Sequence, residues 1–253
     1  MKNAFLNLFR RAGASAREVP FDGGLPEPSE AFVAVGDVHG RDDLLARLLD
    51  RLNREAPGLP LVFVGDYVDR GDQSAQVLRR LKALDAEGRA VCLRGNHEEM
   101  MLSFAEGRYP RWLAHGGLQT LASFGLGAGV TENGGRGLEA AMVELRATLE
   151  GEGLLPWLSA MPRFWTSGNA AVTHAGADPA RALEAQSRSL TNGHPDFFST
   201  PRSDGLWIVH GHYVRDEPEV APGRIAIDTG AFATGRLTAV VMSPGEPPKF
   251  IEA

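Results

Sequence analysis

Apolar residues along this chain gather into short runs that stop at a glycine. Ala31–Val35, Leu61–Val64 and Ala90–Leu93 each read as a buried strand released into a loop. Between them, Asp42 to Glu55 carries Leu44, Leu45, Leu48, Leu49 and Leu52 at helical spacing, and Gln73 to Glu87 does the same with Val77, Leu78, Leu81 and Leu84. Strand, helix, strand, helix, strand predicts parallel pairing. From Glu98 to about Leu158 the pattern turns helical, with glycine-rich breaks between Gly125 and Gly137, and predicts an insertion of the kind that caps an active site. After Pro162 short strands return at Arg163–Thr166, Ala170–Thr173, Leu206–Val209, Arg224–Ile227 and Leu237–Val241. The count fits an α/β fold of two stacked sheets with outer helices, spanning residues 30–253 as one domain behind an N-terminal tip and tether at 1–29.

Composition narrows the chemistry. The 253 residues are 43% hydrophobic, enough to bury a full core. Lys and Arg total 26 against 32 Asp and Glu, so no overall basic field recruits nucleic acid or an anionic membrane, and an anionic substrate must be attracted locally. Cys92 is the only cysteine, which excludes an internal disulfide and a zinc–thiolate cluster. No stretch approaches a membrane span, and the N-terminal apolar part is too short for a secretory signal, so the cytoplasm is the expected compartment. Phe5, Leu6, Leu8 and Phe9 beside Arg10 and Arg11 leave a small amphipathic turn open.

Three polar stretches follow the first three strands: Gly36-Asp37-Val38-His39-Gly40, Gly65-Asp66-Tyr67-Val68-Asp69-Arg70-Gly71 and Gly95-Asn96-His97-Glu98. Any one alone could be turn chemistry, because Asp, Asn and Gly are ordinary loop formers. Turn chemistry does not call for His in two of the loops. Ligands bind at strand ends in α/β sheets, and there Asp37, His39, Asp66, Asn96 and His97 offer oxygen and nitrogen donors that suit two divalent ions sharing a carboxylate. Asp72 is expected to cap the helix that begins at Gln73.

In these motifs the chain resembles the calcineurin-like metallophosphoesterases, and within them the phosphoprotein phosphatases of bacterial and phage type. Val172-Thr173-His174-Ala175-Gly176, Ile208-Val209-His210-Gly211-His212 and Ile227-Asp228-Thr229-Gly230-Ala231 extend the likeness toward the C-terminus. The resemblance implies a four-layer α/β/β/α sandwich of two mixed sheets. It implies that Asp37 and His39 hold one metal, that Asp66 bridges, and that Asn96, His174 and His212 hold the other, with manganese first and iron or zinc as alternatives. A hydroxide between the ions would be the nucleophile. His97 would protonate the leaving group, oriented by Asp69, while Arg70 and Asn96 would bind phosphate oxygens. His210 is left as a core or supporting histidine, and His115 as a helix-end residue or part of the entrance.

One interval departs from the family. Its members usually carry a second phosphate-clamping Arg between the downstream histidine loops, and the context of that Arg is missing from Gln186–Phe198. His194 stands nearest its place, with Arg188 and Arg202 as other candidates. The reading that results is a phosphomonoesterase acting on phosphoserine or phosphothreonine in proteins. A dinucleoside polyphosphate hydrolase is the alternative, since it shares the metals, although Asp69 is a residue that group tends to lack. A weakened phospho-binding module is a third reading.

Overall fold

The computed structural model describes residues 21 and 23–253, so the expected amphipathic turn near Phe5 lies outside the described residues. Two five-stranded sheets form. The first runs β10-β9-β1-β2-β3, built from β1 (Phe32–Val35), β2 (Leu61–Phe63), β3 (Ala90–Cys92), β9 (Thr238–Met242) and β10 (Lys249–Glu252). The second runs β4-β5-β6-β8-β7, from β4 (Phe164–Ser167), β5 (Ala170–Thr173), β6 (Trp207–His210), β7 (Glu219–Ala221) and β8 (Arg224–Ala226). Strands β1, β2 and β3 are parallel, as are β5, β6 and β8; antiparallel strands flank them, except at the edge formed by β3.

The alternation of side chains across each strand explains the layers. On β1, Val33 and Val35 pack against the helices while Phe32 and Ala34 face the other sheet; on β2, Leu61 and Phe63 go outward and Val62 inward. Val172 and Val209 meet them from the second sheet, whose far face, through Ala171 and Ile208, packs on Leu190 and Phe197. Both faces of each central strand are therefore dry, which is why these strands read as unbroken apolar runs. The predicted α/β/β/α sandwich of two mixed sheets is the fold observed.

Helices α1 (Asp42–Glu55) and α2 (Ser74–Ala86) bury the predicted leucines, among them Leu44, Leu48, Leu78 and Leu81. Truncating a fully buried one such as Leu78 to Ala would cost about 2–5 kcal/mol. Asp72 does not cap α2. Gln73 occupies that position without a side-chain bond, and Ser74 Oγ accepts instead from Asp69 N at 3.1 Å, so the start of the helix is given over to the second motif loop. The insertion comprises α3 (Asn96–Ala105), a 3-10 helix (Pro110–His115), α4 (Gly117–Ser123), α5 (Leu138–Gly151) and α6 (Leu154–Ala160). Its buried Met101, Phe104, Trp112, Leu145 and Leu158 join the same apolar cluster as α1 and α2. Later come α7 (Arg188–Asn192) and α8 (Ala231–Thr234). No helix among the described residues is long and apolar enough to cross a membrane.

Candidate metal centre

The motif loops hold unusual backbone. His39, Asp66, Asp69, Arg70 and His212 all have φ between 44° and 75°, a region that costs a non-glycine residue roughly 1–2 kcal/mol. The surroundings must over-determine it. Glu98, fully buried in the first turn of α3, accepts from Asp66 N at 2.9 Å, Tyr67 N at 2.8 Å and Gly95 N at 3.0 Å, and so ties the second motif loop to the third. Burial, then the charge of Asp66, pushes Glu98 up to about 7 against the pull of Tyr67 N–H. Close approach explains two glycines: a Cβ at Gly95 would collide with Asp66 Oδ1, and one at Gly211 with Asp37 Oδ1.

Two donor groups result. The ligating atoms of His39, Asp66 and His97 lie within 4.8 Å of one another, and so do those of Asp66, His174 and His212, with Asp66 common to both. His39 Nδ1 sits 2.8 Å from Val68 O, which can only accept, so Nδ1 carries the proton and the Nε2 lone pair is turned toward Asp66. Asn96 Oδ1 lies 2.9 Å and His212 Nδ1 3.1 Å from His174 Nε2, itself 3.3 Å from Asp66. Asp37 accepts His212 N–H at 3.0 Å through one oxygen, while the other is buried with no hydrogen-bond partner.

The electrostatics fit cations. Burial, then Asp228 and Asp66, hold Asp37 well above the usual carboxylate range, and burial pushes Asp228 up to about 6. Burial alone would raise Asp66 too, but His174 and then His97 hold it well below that range. Burial lowers His39 and takes His212 down to about 3, which favours neutral imidazoles, the form that binds a cation. Three buried carboxylates, an orphaned oxygen and neutral rings are the donor set that divalent ions satisfy.

Beside these donors stands a second network. His97 Nδ1 lies 2.5 Å from Asp69 Oδ2, and its Nε2 lies 3.1 Å from Arg70 Nη2. Burial opposes the charged ring, but Asp66 and Asp69 outweigh it and raise His97 above the ordinary histidine value. Asp69, wholly buried, also accepts Trp112 Nε1–H at 2.8 Å and Thr120 Oγ1–H at 2.7 Å. The insertion therefore builds part of the site. Arg70 donates to His39 Nε2 at 2.8 Å, donates its backbone N–H to Gly116 O at 3.4 Å, and stacks over the half-buried Phe232 ring at 4.6 Å.

The remaining candidates have other partners. His210 is buried against Phe197, and burial takes it down to about 4, in keeping with a core histidine. His194 lies 3.7 Å from Asp178 and 4.0 Å from Asp196. Arg202 is held by Asp204 and the carbonyls of Asp178 and Arg181, and Arg188 is exposed on α7. His115 is exposed, yet its value is lowered by burial and then by His97, which places it within electrostatic reach of the site. Trp112, Thr120, Asp228 and Phe232 were not singled out by sequence. No local signal marks the first two, which meet Asp69 across 43 and 51 residues.

Comparison with known proteins bears on the substrate. A bis(5'-nucleosyl)-tetraphosphatase, symmetrical, from Janthinobacterium sp. (strain Marseille) is 29% identical, over 82% of this chain and 91% of its own length. The asymmetrical bis(5'-nucleosyl)-tetraphosphatase PrpE of Halalkalibacterium halodurans is 27% identical over 83% and 89%. A solved structure described as a candidate diadenosine tetraphosphatase superposes with a TM-score of 0.60 at 22% identity, over 91% and 96%, and supports the fold. These relatives overturn the expectation of phosphoserine and phosphothreonine in proteins. The error lay in giving Asp69 substrate meaning, when its side-chain contacts are with His97, Trp112 and Thr120 of this chain. Residues 31–216 match the calcineurin-like phosphoesterase family, and with most of its length covered the chain belongs to that family.

Proposed function

We propose that this chain is a metal-dependent hydrolase of dinucleoside tetraphosphates. The observation that carries the reading is the agreement of near full-length relatives named for that activity. The loss of the second clamping Arg's context from Gln186–Phe198 points the same way, away from the protein phosphatases.

Asp37, His39, Asp66, Asn96, His174 and His212 would hold two divalent ions, manganese first and iron or zinc as alternatives. Bound there, the ions would supply Lewis acidity and lower the pKa of a water. Arg70 presents its guanidinium fork to phosphate oxygens, anchored by Phe232 and by Gly116 O. His97 carries a proton at Nε2 toward the departing oxygen, its ring fixed by Asp69. Asn96 contributes its amide on the His174 side. For an anhydride, the departing phosphate is already a stable anion, so the proton matters less than it would for an alkyl ester.

The test is a manganese-supplemented assay with diadenosine tetraphosphate, a phosphoserine peptide and a nitrophenyl phosphate, with products separated. Two ADP report symmetrical cleavage, and ATP with AMP reports asymmetrical cleavage. Efficient turnover of the phosphopeptide with none of the dinucleotide would sink the proposal.

A further inference from the structure

Phe197 and Phe198 are neighbours with opposite fates. Phe197 is buried beneath α7, whereas Phe198 is 36% exposed. A single exposed Phe is ordinary. This one is not isolated. Its ring stands edge-to-face with Tyr213 at 4.8 Å, and Tyr213 stands edge-to-face with the His212 ring, also at 4.8 Å. The Arg215 guanidinium lies over Phe198 at 5.0 Å, and Arg215 Nε is buried without a hydrogen bond, 3.5 Å from Glu219. An aromatic and cationic wall thus begins at a candidate ligand and runs two rings outward to solvent.

We infer that Phe198, Tyr213 and Arg215 form a nucleobase subsite. The inference rests on the dinucleotide reading and adds to it the place of one base. Bases stack on aromatic rings and on guanidinium planes, which a sequence-tolerant π-face and a cation both favour. Distance separates this wall from the other aromatic at the site. Phe232 touches His39, at 5.4 Å, and Arg70 directly, so its ring is engaged where a phosphate would sit. Phe198 lies one ring beyond Tyr213, the kind of spacing that the ribose and phosphates of a nucleotide span when the cleaved bond lies over the metal centre. The neighbouring Arg215 charge suits the anionic chain between them.

The test uses the full-length, manganese-loaded protein and two variants. Phe198→Leu keeps bulk against Phe197 and removes the π-face; Phe198→Trp enlarges it. The readout is the ratio of kcat/KM for diadenosine tetraphosphate to that for inorganic tetraphosphate, which has no base, together with inhibition by ADP and by pyrophosphate. Phe198→Leu is expected to lower the ratio roughly ten- to a hundredfold, through KM, and to weaken ADP but not pyrophosphate, while Phe198→Trp keeps the wild-type pattern. If the ratio and the ADP inhibition both stay within twofold of wild type in Phe198→Leu, the subsite is refuted. Failure of the functional reading looks different: wild-type protein would cleave inorganic tetraphosphate and not the dinucleotide. In that event the ADP-to-pyrophosphate comparison alone upholds or refutes the subsite.

Discussion

The two sheets contribute unlike halves to one site. The first sheet's loops bring Asp37, His39, Asp66, Asp69, Arg70, Asn96 and His97 inside a dense network, where Glu98 bridges two loops and Trp112 and Thr120 reach in from the insertion. The second sheet brings two imidazoles, His174 and His212, against one another with aromatic backing. His174 Nδ1 is buried with no hydrogen-bond partner. One half is held by a dense set of hydrogen bonds and the other by fewer, together with ring packing. In the proposed function, the geometry of proton transfer and phosphate orientation would thus be set by the first sheet, while the second would mainly supply lone pairs.

The sharpest way to break this contrast is at the residue shared by both halves. Asp66→Asn should lower turnover by at least about 10²-fold and reduce metal content, because it weakens both donor groups at once. Stoichiometric metal with near-normal turnover would refute the shared role. Next in size is His97→Asn, expected to slow an alkyl phosphate by roughly 10²–10⁴-fold with metal content unchanged. The loss should shrink for diadenosine tetraphosphate and for a nitrophenyl phosphate; an equal loss on all three would make His97 a ligand, a role its distances also permit.

A smaller effect tests whether the insertion belongs to the first half. Trp112→Phe or Thr120→Val removes one hydrogen bond to a buried carboxylate, worth about 1.5–3 kcal/mol. Either should slow alkyl phosphate hydrolysis by about tenfold or more in the wild-type background and add little in the His97→Asn background. Full additivity in the double variants would mean that the insertion acts only through packing. The smallest effect belongs to the second sheet. His210, neutral in the fold until about pH 4, binds a proton near 6.5 when unfolded, so its contribution to stability is present above pH 6.5 and is lost as pH falls toward 4. Thermal melts should show His210→Phe flattening that decline by a few degrees.

What sequence made legible follows the same division. Within each strand-end motif the donors lie a few residues apart and are readable locally, and the structure brings His39 and Asp66 of the first sheet near His174 and His212 of the second. Edges fared worse: β7 and β10 escaped notice because Glu219–Ala221 and Lys249–Glu252 are short and partly exposed, with no apolar run. Trp112 and Thr120 meet Asp69 across 43 and 51 residues, a separation that leaves no periodic trace. Asp228 sits in a quoted motif, but its burial against Asp37 depends on the stacking of two sheets that sequence does not align.

Glu98 also has a kinetic meaning. Its carboxylate belongs to α3, but three of the N–H groups within its reach, Asp66, Tyr67 and Val68, belong to the loop after β2. Docking of the first turn of α3 thus helps to hold the left-handed turn of that loop, and the two are expected to open as a unit. Amide protons at 66, 67 and 95 should therefore exchange with a common opening rate, and loosening α3 anywhere along its first turn should release all of them together.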